Sequence, residues 1–149
     1  MTEHYFHFSA NWPGGRNSVG TIHSGQLETK VSIATGMGGP GVGTNPDEML
    51  LGAAATCYLM TLAAMLEHAH LPVLSLTLES DITVVVDRGA YRCTRIVHRP
   101  GVTLAAHATA AQMARLASLV NLAEQHCMVS NALRGNVDIS VAAQIEQLP

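Results

Sequence analysis

The sequence predicts an α+β fold with antiparallel sheets. Several stretches alternate apolar and polar residues with a period of two, and two longer segments carry apolar stripes behind helix-start signals. Each group of strands comes with its own helix, and short turns between consecutive alternating stretches point to antiparallel hairpins. The 149 residues suit one domain, 1–149, and no repeat, low-complexity tract or linker divides them.

Residues 5–12 alternate loosely, with Phe6, Phe8, Ala10 and Trp12 on one side, and read as a first strand. Pro13-Gly14-Gly15-Arg16 then turns the chain. Residues 19–23 and 27–33 read as a hairpin around Ser24-Gly25-Gln26, with Leu27, Thr29, Val31 and Ile33 on one face. In the glycine-rich stretch that follows, Gly36, Gly38 and Gly41 match the dinucleotide pattern G-x-G-x-x-G. The preceding strand alternates, unlike a parallel strand buried on both faces, and no strand with a terminal acidic residue follows about 20 positions later. No Walker lysine is present either, so a flexible turn is expected.

Asn45-Pro46-Asp47-Glu48 combines an N-cap, a proline at the first helical position and a capping-box glutamate. A long apolar helix is expected from there to about residue 70, stopped by Pro72. Residues 76–86 alternate, Asp87-Arg88-Gly89 turns, and 91–104 return. Thr109 and Gln112 form a second capping box before a helix striped by Met113, Leu116, Leu119, Val120 and Ala123, with Cys127 near its end. Residues 130–134 read as one more helical turn closed by Gly135. Val137, Ile139, Val141, Ala143 and Ile145 then make the clearest alternating strand in the chain.

Charged residues make up 13% of the chain, about half the usual share of roughly 25%. With 8 Lys and Arg against 11 Asp and Glu, an electrostatic grip on nucleic acid or anionic membrane is not expected. The shortage concentrates in residues 49–66, which carry no charge and just reach membrane-span length. Alanine dominates there, with Gly52, Thr56 and Thr61, and helix signals and polar residues flank it closely, so a fully buried helix is expected. The start, Met1-Thr2-Glu3-His4, lacks a basic stretch followed by an apolar run, which makes a cytoplasmic setting the expectation.

Three cysteines, Cys57, Cys93 and Cys127, are an odd number and suit thiol chemistry or core filling better than a disulfide framework. Cys93 sits in a predicted strand as a small buried hydrophobe. The eight histidines lack cysteines at zinc-ligand spacing, so no metal is expected. On its helix Cys57 shares a face with Leu50, Ala53, Ala54, Thr61 and Ala64, surroundings that raise a thiol's pKa unless a cation approaches.

Two segments carry a family resemblance. Gly43-Thr44-Asn45-Pro46-Asp47-Glu48-Met49-Leu50-Leu51-Gly52-Ala53-Ala54-Ala55-Thr56-Cys57-Tyr58 and, far downstream, His126-Cys127-Met128-Val129-Ser130-Asn131-Ala132-Leu133-Arg134-Gly135-Asn136-Val137 resemble the OsmC/Ohr family of thiol peroxidases. Gly14-Gly15-Arg16 resembles that family's N-terminal glycine-arginine turn, so the likeness spans essentially the whole chain. The resemblance implies an intertwined homodimer with two long central helices, reducing organic hydroperoxides or hydrogen peroxide. By position it makes Cys57 the peroxidatic cysteine, Cys127 the resolving cysteine, and Arg16 the cation that supports the thiolate. Asp47 falls where the family's carboxylate partner of that arginine is usually Glu. Neighbouring Glu48 lies about 180° around the helix from Cys57, against about 80° for Asp47, and is better read as the capping residue. Asp47 is still roughly 15 Å along the axis from Cys57 and acts only through a long partner such as Arg16.

No cofactor, metal, haem or flavin is implied, only an external dithiol, the lipoyl type included, that restores the pair by exchange. Leu50, Tyr58 and Met60 around Cys57 are expected to favour an organic peroxide over a small polar one. Met128 stands where a proline often follows the resolving cysteine, and residues 96–100 resemble a general OsmC-like branch more than the dedicated organic-peroxide branch. A rival of another class keeps the fold: a redox-sensing or ligand-binding module whose dimer cleft holds an apolar ligand without fast turnover.

Overall fold

In a computed structural model that describes residues 1–149, the first alternating stretches pair as a three-stranded antiparallel sheet. Its strands are β1 (Ser9–Asn11), β2 (Gly20–Ser24) and β3 (Leu27–Val31), in that order. The strand expected over 5–12 shrinks to three residues, because β2 offers partners only from Thr21 to His23. At the hairpin Ser24 faces Leu27, and Gly25 takes the positive φ of 58° that the two-residue loop requires.

The glycine-rich stretch is not the flexible turn expected of it. After a single 3-10 turn over Thr35–Met37 the chain doubles back on β3 and bonds to it. The Thr44 N–H donates to the Lys30 carbonyl and the Ser32 N–H to the Thr44 carbonyl, each at 3.0 Å. The Ser32 hydroxyl donates to the Val42 carbonyl and accepts the Val42 N–H, both at 2.8 Å. Gly43 has φ 71°, and a Cβ there would stand 2.1 Å from the Lys30 oxygen, so only glycine permits this approach. The glycines serve the chain's own backbone.

Helix α1 (Pro46–His68) starts as its sequence signals: Asn45 Oδ1 accepts the Glu48 N–H at 2.9 Å. The Glu48 carboxylate completes a variant of the box by accepting the Thr44 hydroxyl at 2.8 Å. The chain divides into two compact units, Met1–Met49 and Leu50–Pro149. No linker marks the division in the sequence, because α1 runs through it.

In the second unit β4 (Val73–Asp87) and β5 (Ala90–Leu104) form a long antiparallel hairpin. Its two-residue turn has Arg88 and Gly89 at φ 51° and 81°. The capping box of Thr109 and Gln112 is present in both directions and starts α2 (Ala110–His126). A short α3 (Met128–Leu133) follows, then β6 (Asp138–Val141) and β7 (Gln144–Gln147).

Two expectations fail in this last stretch. Both β6 and β7 pair parallel to β5, so the second sheet is mixed rather than antiparallel. The connection from β5 runs through two helices, and such a crossover returns the chain in the same direction. The single strand expected over 137–145 is interrupted, though both halves hold one register, with Asp138 facing Arg95 and Gln144 facing Gly101. The gap lies opposite Arg99 and Pro100, and Pro100 has no N–H for the ladder.

The core of this unit joins Tyr58, Leu62 and Leu66 of α1 to Val102 and Leu104 of β5 and to the α2 stripe of Leu116, Leu119, Val120 and Ala123. Helix α1 buries Ala54, Tyr58, Leu62 and Leu66, a single stripe at a spacing of four. The fully buried helix expected from its composition is therefore not found within one chain. Gly52, Ala53, Thr56, Met60, Ala63 and Ala64 are exposed. By length and composition alone α1 could cross a membrane, with 22% of its most apolar window buried.

Candidate functional site

Cys57 lies in the middle of α1, half-buried, one turn before Thr61, whose hydroxyl donates to the Cys57 carbonyl at 2.8 Å. Cys127 is fully buried at the joint between α2 and α3. It closes the first helix and caps the second: at φ −70° and ψ 120° its sulfur accepts the Ser130 N–H at 3.4 Å. The last helical turn was expected to begin at residue 130. It begins at Met128, which makes Cys127 the N-cap of a helix.

That shift brings the start of α3 to Cys57. The first free N–H groups of α3, those of Met128 and Val129, hydrogen-bond to the Cys57 sulfur. The Cys127 thiol donates to the same sulfur, and both cysteines are reduced. Burial pushes the Cys57 thiol up, but the Val129 N–H, the Cys127 thiol and the Met128 N–H, with the nearby Thr61 side chain, outweigh it and hold it below the ordinary 9.0. Burial pushes Cys127 up too, and there it prevails. Hydrogen bonds from the Ser130 hydroxyl and N–H oppose it, while donation to Cys57 and the Cys57 charge add to the rise. The environments drive the two thiols apart, Cys57 downward and Cys127 upward.

Helix α3 is tied to α2 near the joint. Arg134 Nη2 donates to Glu124 Oε1 at 3.0 Å and to Asn131 Oδ1 at 3.1 Å, with the Glu124 carboxylate largely buried. The N–H groups that face Cys57 therefore sit on an element braced from its other end. No group of three His, Cys, Asp or Glu side chains is arranged to hold a metal ion.

The other expected site residues are placed as follows. Arg16 is exposed in the first unit, donating to the carbonyls of Met37 at 2.9 Å and Gly38 at 3.3 Å and to Asn17 Oδ1 at 2.9 Å. Asp47 is half-buried in the first turn of α1. The four groups that lower Cys57 all belong to Leu50–Pro149. On the Cys57 face of α1, Leu50 is half-buried and Met60 is 70% exposed. Tyr58 corrects the expectation that it lines a substrate site. It is fully buried, its hydroxyl donates to the Val120 carbonyl at 2.7 Å, and its ring stacks on His98 with centroids 4.8 Å apart. One residue along a helix is 100° around it, so Tyr58 points into the core where Cys57 does not.

Residues 38–142 match the family model for OsmC-like protein, a span that contains both cysteine segments. The chain belongs to the OsmC-like family. Among its relatives, the uncharacterised protein YmaD of Bacillus subtilis strain 168 is 49% identical over 146 residues, covering 98% of this chain and 97% of the relative. An organic hydroperoxide resistance protein of Xanthomonas axonopodis pv. citri is 27% identical over 130 residues, covering 86% of this chain and 87% of its own. Of solved structures, an organic hydroperoxide resistance protein OsmC from Legionella pneumophila superimposes with a TM-score of 0.76 over 97% of this chain and 99% of that one. At 19% identity that likeness speaks for the fold alone, and it agrees with the OsmC-like architecture of mixed helices and two sheets.

The sequence reading placed Thr61 on the Cys57 face but missed the backbone of Met128 and Val129, and Ser130. A signal was present, since Cys127 stands three residues before Ser130, the spacing from an N-cap to the N–H it accepts.

Proposed function

We propose that this OsmC-like protein is a thiol-dependent peroxidase that reduces organic hydroperoxides through Cys57 and Cys127. One arrangement carries the reading: two free cysteines brought together at the start of α3, Cys127 as its N-cap and Cys57 facing its first N–H groups, the Cys57 thiol pushed down and the Cys127 thiol up. The Xanthomonas relative's name supports the substrate class.

The Cys57 thiolate attacks one peroxide oxygen, forming an S–O bond as the O–O bond breaks. The alkoxide leaves, takes up a proton and departs as alcohol, and Cys57 becomes a sulfenic acid. Cys127 attacks that sulfur and water leaves, giving the Cys57–Cys127 disulfide. An external dithiol then supplies two electrons and two protons by exchange. In this reading Leu50 and Met60 offer apolar contact to the peroxide, and Arg16 with Asp47 supports the thiolate. The exposed small and apolar face of α1 is covered in a homodimer in the cytoplasm.

The test is consumption of cumene hydroperoxide with a dithiol reductant. Wild type turns over and Cys57→Ser does not, while Cys127→Ser yields a trappable sulfenic acid at Cys57. A Cys57→Ser protein as active as wild type rejects the proposal. Arg16→Ala slows the first step if Arg16 acts on the thiolate, and an unchanged Cys57 titration removes it from the site.

A further inference from the structure

A second buried group beside the cysteine pair has no part in the reaction as written so far. Ser130 is fully buried, and its Oγ makes no hydrogen bond. Buried hydroxyls are almost always paired, and one left over in a folded core calls for an explanation. Its surroundings supply one. Ser130 lies three residues beyond Cys127, its N–H already donates to the Cys127 sulfur at 3.4 Å, and its unpaired hydroxyl is close enough to that same sulfur to favour the thiolate.

We infer that Ser130 is the positioning residue of the resolving step, its N–H and hydroxyl holding the Cys127 sulfur and stabilising the negative charge it takes on as it gives up its proton before attack. The inference deepens the peroxidase reading and rests on it. In that step a Cys127 sulfur lone pair forms the S–S bond and the Cys57 S–O bond breaks. Hydroxide leaves the sulfenic acid and becomes water with the proton that Cys127 gave up. The Cys127 sulfur is oxidised, the Cys57 sulfur is reduced from the sulfenic level, and the Ser130 hydroxyl ends as it began.

A thiol in an apolar core is a poor nucleophile, because burial disfavours the thiolate. Cys127 is such a thiol, packed in the core cluster with Leu116, Leu119 and Val120. While the pair is reduced, its proton is directed at Cys57 and its lone pairs are free to face Ser130. The Ser130 N–H, fixed by the first turn of α3, already meets the attacking sulfur, and the buried hydroxyl of the same residue joins it by rotation about one side-chain bond. Hydrogen bonds to a charged acceptor are stronger than those to a neutral one, so their effect grows as the thiolate forms.

The experiment titrates Cys127 directly, by NMR of isotope-labelled cysteine Cβ atoms in a Cys57→Ala chain, where no peroxide is needed. Four proteins are compared: Ser130 itself, Ser130→Ala, Ser130→Thr and Ser130→Val. Thr and Val share a shape and differ by the hydroxyl, so that pair answers even if the Ala variant fails to fold. Ala and Val are expected to raise the Cys127 midpoint by about one unit, on the order of tenfold less thiolate at neutral pH, and Thr is expected to retain it. In the chain with Cys57 restored, Ala leaves sulfenic acid formation unchanged and slows disulfide closure on the order of tenfold. Superimposable titrations for all four overturn the inference, as does a shift common to Thr and Val. A chain that forms no sulfenic acid at all rejects the peroxidase reading through a different observable.

Discussion

The free thiols of Cys57 and Cys127 lie close enough to shift one another, the Cys127 thiol favouring the Cys57 thiolate and the Cys57 charge opposing ionisation of Cys127. The contact is unequal. Cys57 is held below the ordinary thiol value and Cys127 above it. Alkylation by iodoacetamide at neutral pH should therefore strike Cys57 first, and its rate should rise through a midpoint below 9.0. Because the groups are coupled, loss of Cys127 in Cys127→Ala removes one donor and moves that midpoint up. Peptide mapping that finds Cys127 modified ahead of Cys57 would reverse the assignment of roles.

Met128 tests the backbone donors. Its N–H bonds to Cys57, and it occupies the first position of α3, where proline fits a helix without cost because that N–H has no helical partner. Met128→Pro thus deletes one hydrogen bond to the sulfur while leaving the helix start intact. The Cys57 midpoint should rise, and attack on peroxide should slow by a few-fold to about tenfold. Unchanged thiolate titration in a folded Met128→Pro chain would show that the Met128 N–H does not set the nucleophile. Chains that carry proline after their second cysteine lack this donor, so Met128 gives Cys57 a hydrogen bond they cannot supply.

Element types were legible in the sequence wherever local chemistry decides them. The capping residues Asn45, Thr109 and Gln112 placed two helix starts correctly, since each acts on N–H groups within one turn. The site was legible as far as its two sulfurs. What remained hidden depends on contacts distant in sequence. Nothing local says that β6 lies parallel to β5, or that α3 opens toward Cys57, some 70 residues earlier in the chain. The groups that lower Cys57 from within the second unit, the backbone of Met128 and Val129 and the Cys127 thiol, lie some 70 residues away, and no local pattern announces them. The family resemblance was carried by residues 43–58 and 126–137, which the family match contains, whereas Arg16 lies outside it.

Tyr58 separates core from site. Its hydroxyl bonds to the Val120 carbonyl across the interface of α1 and α2, and burial, reinforced by Glu124, holds its pKa far above the ordinary 10.0. Tyr58→Phe keeps the ring on His98 and deletes only the hydrogen bond. Stability should fall by about 1 kcal/mol, a loss of a few degrees in Tm. The Cys57 titration should not move, because Tyr58 points away from the sulfur. A changed thiol midpoint with an unchanged Tm would return Tyr58 to the site.

His98 makes the fold sensitive to acid. It is fully buried against Tyr58, with Nδ1 paired to Ser80 Oγ at 2.7 Å and Nε2 without a partner, and burial lowers its pKa from 6.5. The unfolded chain binds a proton near 6.5 while the folded chain resists it. Stability is therefore complete above about 6.5 and falls as pH drops from there through the lower folded value. Between neutral pH and about pH 5 this single group costs up to about 2 kcal/mol. Urea midpoints measured across that range should decline in wild type, and the decline should be smaller in His98→Phe, which keeps an aromatic ring beside Tyr58 and cannot protonate. Parallel slopes in the two proteins would place the acid sensitivity elsewhere in the chain.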